Sequence, residues 1–65
     1  MKNKPCTYSV YRIFDDGDKE LLGKFTHIFY AENFIERLIV VLWPKKRVYT
    51  IEQNNTIIQT YKNEG

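Results

Sequence analysis

Ala31-Glu32-Asn33-Phe34-Ile35-Glu36-Arg37-Leu38-Ile39-Val40-Val41-Leu42-Trp43-Pro44 decides how the chain is read. Ala31, Phe34, Ile35, Leu38, Val41 and Leu42 fall at i, i+3, i+4, i+7, i+10 and i+11, which is one face of an α-helix beginning near Ile28. Glu32, Asn33, Glu36 and Arg37 take the opposite face. Thr26 is the expected N-cap, its hydroxyl accepting an orphan amide hydrogen of the first turn. Pro44 should end the helix, since it has no N–H to donate and pushes Trp43 out of the helical region. Phe34, Leu38 and Leu42 are the residues expected to be buried most deeply.

The alternation of strands returns on both sides of this helix. After it, Arg47 to Gln53 alternates, Asn54-Asn55 is a turn pair, and Thr56 to Lys62 returns. Asn tolerates the left-handed backbone that a type I′ hairpin turn requires. A regular two-residue loop puts Ile51 opposite Ile58 and Tyr49 opposite Thr60 on one face. On the other face it puts Glu52 opposite Ile57 and Val48 opposite Tyr61. Before the helix, Cys6 to Phe14 is rich in β-formers and stops at Asp15-Asp16-Gly17-Asp18, a turn cluster. Leu21 to Thr26 completes that hairpin, with Leu21 and Phe25 on one face and Leu22 and Lys24 on the other. Gly23 within it signals a bulge or a close approach by the helix backbone.

The expected architecture is α+β, in the order ββαββ: a four-stranded antiparallel sheet with one helix packed on one face. Its 65 residues form a single domain, with residues 1–5 and 63–65 expected to be flexible ends. One helix covers only one sheet face, yet apolar residues occupy both faces of both hairpins. They also appear off the main helical stripe, at Phe29, Tyr30, Val40 and Trp43. A domain this short hides only about 60% of the surface its unfolded chain exposes, and oligomerisation is a common remedy.

Composition excludes several classes of function. Ten Lys and Arg against eight Asp and Glu leave a net charge of +2, too little for a histone-like polycation. One Cys rules out an internal disulfide framework, and Cys6 with the lone His27 cannot make a four-ligand zinc site. The acidic run from Asp15 to Glu20 is too short for a calcium loop and is interrupted by Lys19. Gly17, Gly23 and Gly65 are too dispersed for a phosphate-cradling loop, and no orienting group accompanies Cys6 and His27. No catalytic residue, cofactor, metal or small-molecule substrate is expected, and the chain is read as a non-enzyme. The longest apolar run, Leu38 to Trp43, is six residues against the about 18 of a membrane span. No apolar stretch follows the opening Met-Lys-Asn-Lys, so a cytoplasmic location is expected.

The functional expectation follows from the surplus apolar surface. The chain reads as a small protein-binding module that pairs with a copy of itself or with a protein partner. Tyr11, Ile13, Val48, Ile57 and Tyr61, on the sheet face away from the helix, are the expected contacts, with Trp43 at the rim. The alternative is a single-stranded nucleic-acid binder. Lys45, Lys46 and Arg47 beside Trp43 and Tyr49, extended by Arg12 and Lys62, interleave cations with aromatic rings. The same basic residues also suit a helix C-terminus, whose dipole favours positive charge.

Overall fold

In the computed structural model, which describes residues 7–43 and 45–63, β1 (Tyr8–Ile13) and β2 (Lys19–Phe25) form the first hairpin. The helix α1 (Ile28–Val41) follows, and β3 (Arg47–Gln53) and β4 (Thr56–Asn63) form the second hairpin. Residues 1–5, Cys6, Pro44 and residues 64–65 lie outside the described part, and so do the expectations placed on them. All the strand pairs are antiparallel, in the order β2-β1-β3-β4. The helical crossover carries β3 past β1, which puts β1 and β3 in the centre. The architecture is ββαββ, one helix on one face of a four-stranded antiparallel sheet.

The core sits where the helix meets the central strands. Val10 from β1, Tyr49 and Ile51 from β3, and Ala31 and Ile35 from α1 are buried in one cluster. Phe25, Phe34, Leu22, Leu38, Ile39, Tyr8 and Tyr61 pack around it, with the Phe25 and Phe34 rings 5.3 Å apart. Ala31 and Ile35, one helical turn apart, are the two helix residues buried completely. Phe34, Leu38 and Leu42 are only half-buried, contrary to expectation, because they line a cleft of about 150 Å³ at one side of the helix. Val41, placed in the core stripe by its spacing, is 74% exposed.

Both turns have the chemistry their residues require. Asn54 and Asn55 have φ of 54° and 63°, and Gln53 pairs with Thr56 across them. Gly17 has φ of 94°. The Asp18 amide donates to Asp16 Oδ1 at 3.0 Å, closing an Asx-turn, and the Phe14 amide donates to the Asp18 carbonyl at 2.8 Å.

Two bulges correct the expected faces. In the first hairpin, Val10 pairs with Gly23 and Tyr11 with Leu21, so Leu22 is the extra residue. Leu22 then turns inward with Phe25, and Leu21 turns outward, 46% exposed. A Cβ on Gly23 would lie 3.3 Å from the Phe25 ring, so the close approach is by that ring rather than by the helix backbone. In the second hairpin, Ile51 pairs with Gln59 and Glu52 with Ile57, leaving Ile58 unpaired. Beyond it Tyr49 faces Tyr61 and Val48 faces Lys62. Strand side chains alternate with period 2, so one extra residue moves Tyr61 to the helix side.

The helix ends also differ from expectation. His27, not Thr26, is the N-cap, and its side chain makes no capping hydrogen bond. Its carbonyl accepts from the Tyr30 and Ala31 amides at 3.2 and 3.4 Å. The helix stops at Val41, with Leu42 as C-cap donating to the Leu38 carbonyl at 2.9 Å. Asn63, expected in a frayed end, is buried in β4 and donates through Nδ2 to the Lys45 carbonyl at 2.9 Å.

Candidate interaction surfaces

The sheet face turned away from the helix carries Tyr11, Ile13, Val48 and Ile57, as the alternation implied. Tyr11, Ile13 and Val48 are half-buried by their neighbours, and Ile57 is 55% exposed. Lys19 and Glu52 cross this face. The Lys19 ammonium lies 4.3 Å from the Tyr11 ring centroid and donates to Glu52 Oε2 at 2.9 Å. That hydrogen bond raises Lys19 above its ordinary pKa, against some desolvation, and the charge of Glu52 adds to the rise. With Thr50, Thr60, Lys24 and Lys62 sharing the face, it is half polar, as an open antiparallel sheet facing water can be.

Tyr61 belongs elsewhere. Its hydroxyl donates to Gln59 Oε1 at 2.9 Å, and Gln59 Nε2 donates to Glu32 Oε2 at 2.8 Å, which ties β4 to the helix. Burial pushes the Tyr61 pKa up, and the carboxylates of Glu32 and Glu36 push the same way. Its phenol is part of the internal packing rather than of the outer sheet face.

The most exposed apolar surface is on the helix. Phe29 is 69% exposed, Tyr30 58%, Val40 and Val41 both 74%, and Trp43, just beyond the helix, 57%. Eleven residues make about three helical turns, so Phe29 and Tyr30 share a face with Val40 and Val41. Asn33, Glu36 and Arg37 lie between the two apolar ends, and with Val40 and Val41 they line an open groove. Phe29, Tyr30 and Val40 stood out in the sequence only as residues off the main stripe. The signal that would have grouped them with Val41 is the eleven-residue repeat of apolar pairs.

The basic residues divide into two groups. Arg12, Lys46, Arg47 and Lys62 line one cleft of about 220 Å³ at the end of the sheet where β1 leaves and β3 enters. Phe14 and Asp15, which the sequence did not group with the basic residues, line it too. The Arg12 guanidinium lies 4.2 Å from the Phe14 ring centroid. Lys45 is exposed outside this cleft, and Trp43 does not line it either. Tyr49 is 1% exposed in the core, so no face of its ring is open to a stacked base.

Among the described residues no group of His, Cys, Asp and Glu could hold a metal ion, and no helix is long and apolar enough to cross a membrane. Comparisons with protein-family models, with curated proteins and with solved structures each return no match.

Proposed function

We propose that this chain is a non-enzymatic protein-binding module that pairs with a second copy of itself through the outer surface of α1. The observation that carries this reading is the pair of exposed apolar ends, Phe29 and Tyr30 against Val40 and Val41, on one helical face. A two-fold interface uses the same patch on both subunits, so the patch must complement itself. An antiparallel pairing of two α1 helices about a dyad on the solvent side, between Asn33 and Glu36, meets that condition. It sets Phe29 and Tyr30 of one copy over Val40 and Val41 of the other, at both ends. In the middle it brings Glu36 and Arg37 of each copy within reach of the opposite charge on its partner. Removal of the exposed rings and valines from water stabilises the pair at about 25 cal/mol per Å², offset in part by the lost freedom of two chains.

Sedimentation equilibrium at micromolar concentration tests the reading. The expected mass is twice 7.8 kDa and persists at high salt, because the ends of the interface are apolar. Val40→Lys, on the solvent side of the helix, is expected to give a folded monomer. A wild-type chain of 7.8 kDa at every concentration overturns self-association. A dimer that Val40→Lys leaves intact overturns the helical interface and returns the contact to the sheet face of Tyr11, Ile13, Val48 and Ile57.

A further inference from the structure

We propose that the cleft at the end of the sheet, walled by Arg12, Lys46, Arg47 and Lys62, binds the phosphate group of a small phosphorylated ligand. The four cations come from three separate strands and the β3 approach, far apart in sequence, and converge on one space of about 220 Å³. They face the single carboxylate of Asp15. The only ion pair among the described residues joins Lys19 to Glu52 elsewhere. Glu20, paired with Arg12 across β2 and lining the adjoining cleft with Arg12 and Arg47, makes none with them. Four cations therefore stand against two carboxylates that do not bind them directly. Like charges gathered this closely repel one another, and an anion in the cleft relieves that repulsion.

The donor geometry suits a phosphate. Two arginines offer planar forks that can each span two phosphate oxygens, and two lysines add mobile point charges. Arg12 is held in place by its stacking on Phe14, and its Nε is buried with no partner among the described residues. The size argues for a compact group. The cleft is smaller than the roughly 300–1,000 Å³ of pockets that enclose drug-sized ligands, so it takes a charged head and leaves the rest of the ligand outside. A nucleic-acid strand is less well matched, because binders of single strands add rings on which bases stack. Here Tyr49 is buried, and the Phe14 ring carries the Arg12 guanidinium. The cleft shares no residue with the outer helix surface, so its occupancy and pairing through α1 stand or fall separately.

The test is an amide NMR titration with inorganic pyrophosphate at low salt. Saturable shifts are expected at Phe14, Lys46, Arg47 and Lys62, weakening as salt is raised. The double variant Lys46→Gln/Lys62→Gln changes two exposed side chains. It is expected to bind about tenfold more weakly with its melting temperature retained, whereas Lys24→Gln on the outer sheet face binds as the wild type does. Shifts scattered over the surface without saturation overturn the proposal, as does a double variant that binds pyrophosphate unchanged. A single-stranded oligonucleotide provides the second arm. Its displacement by pyrophosphate supports a phosphate site, and oligonucleotide binding that pyrophosphate neither competes with nor reproduces overturns the proposal in favour of a nucleic-acid surface.

Discussion

Lys19, on the edge strand β2, reaches across the Tyr11 ring of β1 to hydrogen-bond Glu52 on β3, 2.9 Å away. This one contact spans three strands and places a buried carboxylate beneath an ammonium that is 47% exposed at its side chain. It covers the middle of an outer sheet face on which Tyr11, Ile13, Val48 and Ile57 are interspersed with Thr50, Thr60, Lys24 and Lys62. The apolar ring at its centre is covered by a cation that belongs to the same chain.

The pair makes stability sensitive to alkali. Lys19 has its pKa raised above the ordinary 10.5 in the folded chain, so its contribution is complete below that value and is lost as pH rises through the folded value. Tyr61 is raised above 10.0, so the folded state holds its proton more tightly, and stability also falls as pH rises from there. Both act in one direction. Thermal melts from about pH 9 to 12 should show a progressive loss that Lys19→Met together with Tyr61→Phe makes shallower. An identical decline in the double variant would refute the assignment.

The hairpin turn gives a test of backbone conformation. Asn54 and Asn55 both have positive φ, where a β-branched residue is strained by roughly 1–2 kcal/mol. Asn54→Val should therefore destabilise by about that amount, and Asn55→Gly should be neutral or stabilising. Urea titration of the two variants measures the difference, and equal midpoints would contradict the turn.

In the core, Ile35 should matter more than Leu38. Ile35 is fully buried and Leu38 only half-buried beside the cleft, so Ile35→Ala leaves a closed cavity and should cost about 2–5 kcal/mol. The loss is comparable with the whole stability of a small domain, about 5 kcal/mol at the low end. Leu38→Ala should retain more of the fold. Denaturation of both variants, followed by circular dichroism, decides the order.

At the helix start, His27 holds the N-cap position without a capping hydrogen bond, and no acid occupies the first turn. His27→Asp supplies an oxygen acceptor for the free amides and a negative charge at the positive end of the dipole. It should stabilise the chain by about 0.5–2 kcal/mol. A lower melting temperature for this variant would place the helix start elsewhere.

Local chemistry made most of the fold legible in the sequence. The helical period across Ala31 to Leu42, the left-handed tolerance of Asn54-Asn55 and the Asx-turn at Asp16 are properties of neighbouring residues, and they specify ββαββ without reference to anything distant. Strand order was not legible, because the pairing of β1 with β3 joins segments separated by a whole hairpin and helix. The two bulges were not legible either. Gly23 marked the first, but nothing in Ile57-Ile58 announces the second, and each reverses the facing of the residues beyond it. That is how Leu21 came outward and Tyr61 inward.

The basic residues show the same division. Lys45, Lys46 and Arg47 stand together in the sequence, yet only Lys46 and Arg47 reach the cleft, where Arg12 and Lys62 join them from other strands. The sequence by itself determined which elements form and that apolar surface would be left over. Only the tertiary structure decided where that surface lies and which charges meet, because each bulge and each crossover acts at a distance that no local pattern records.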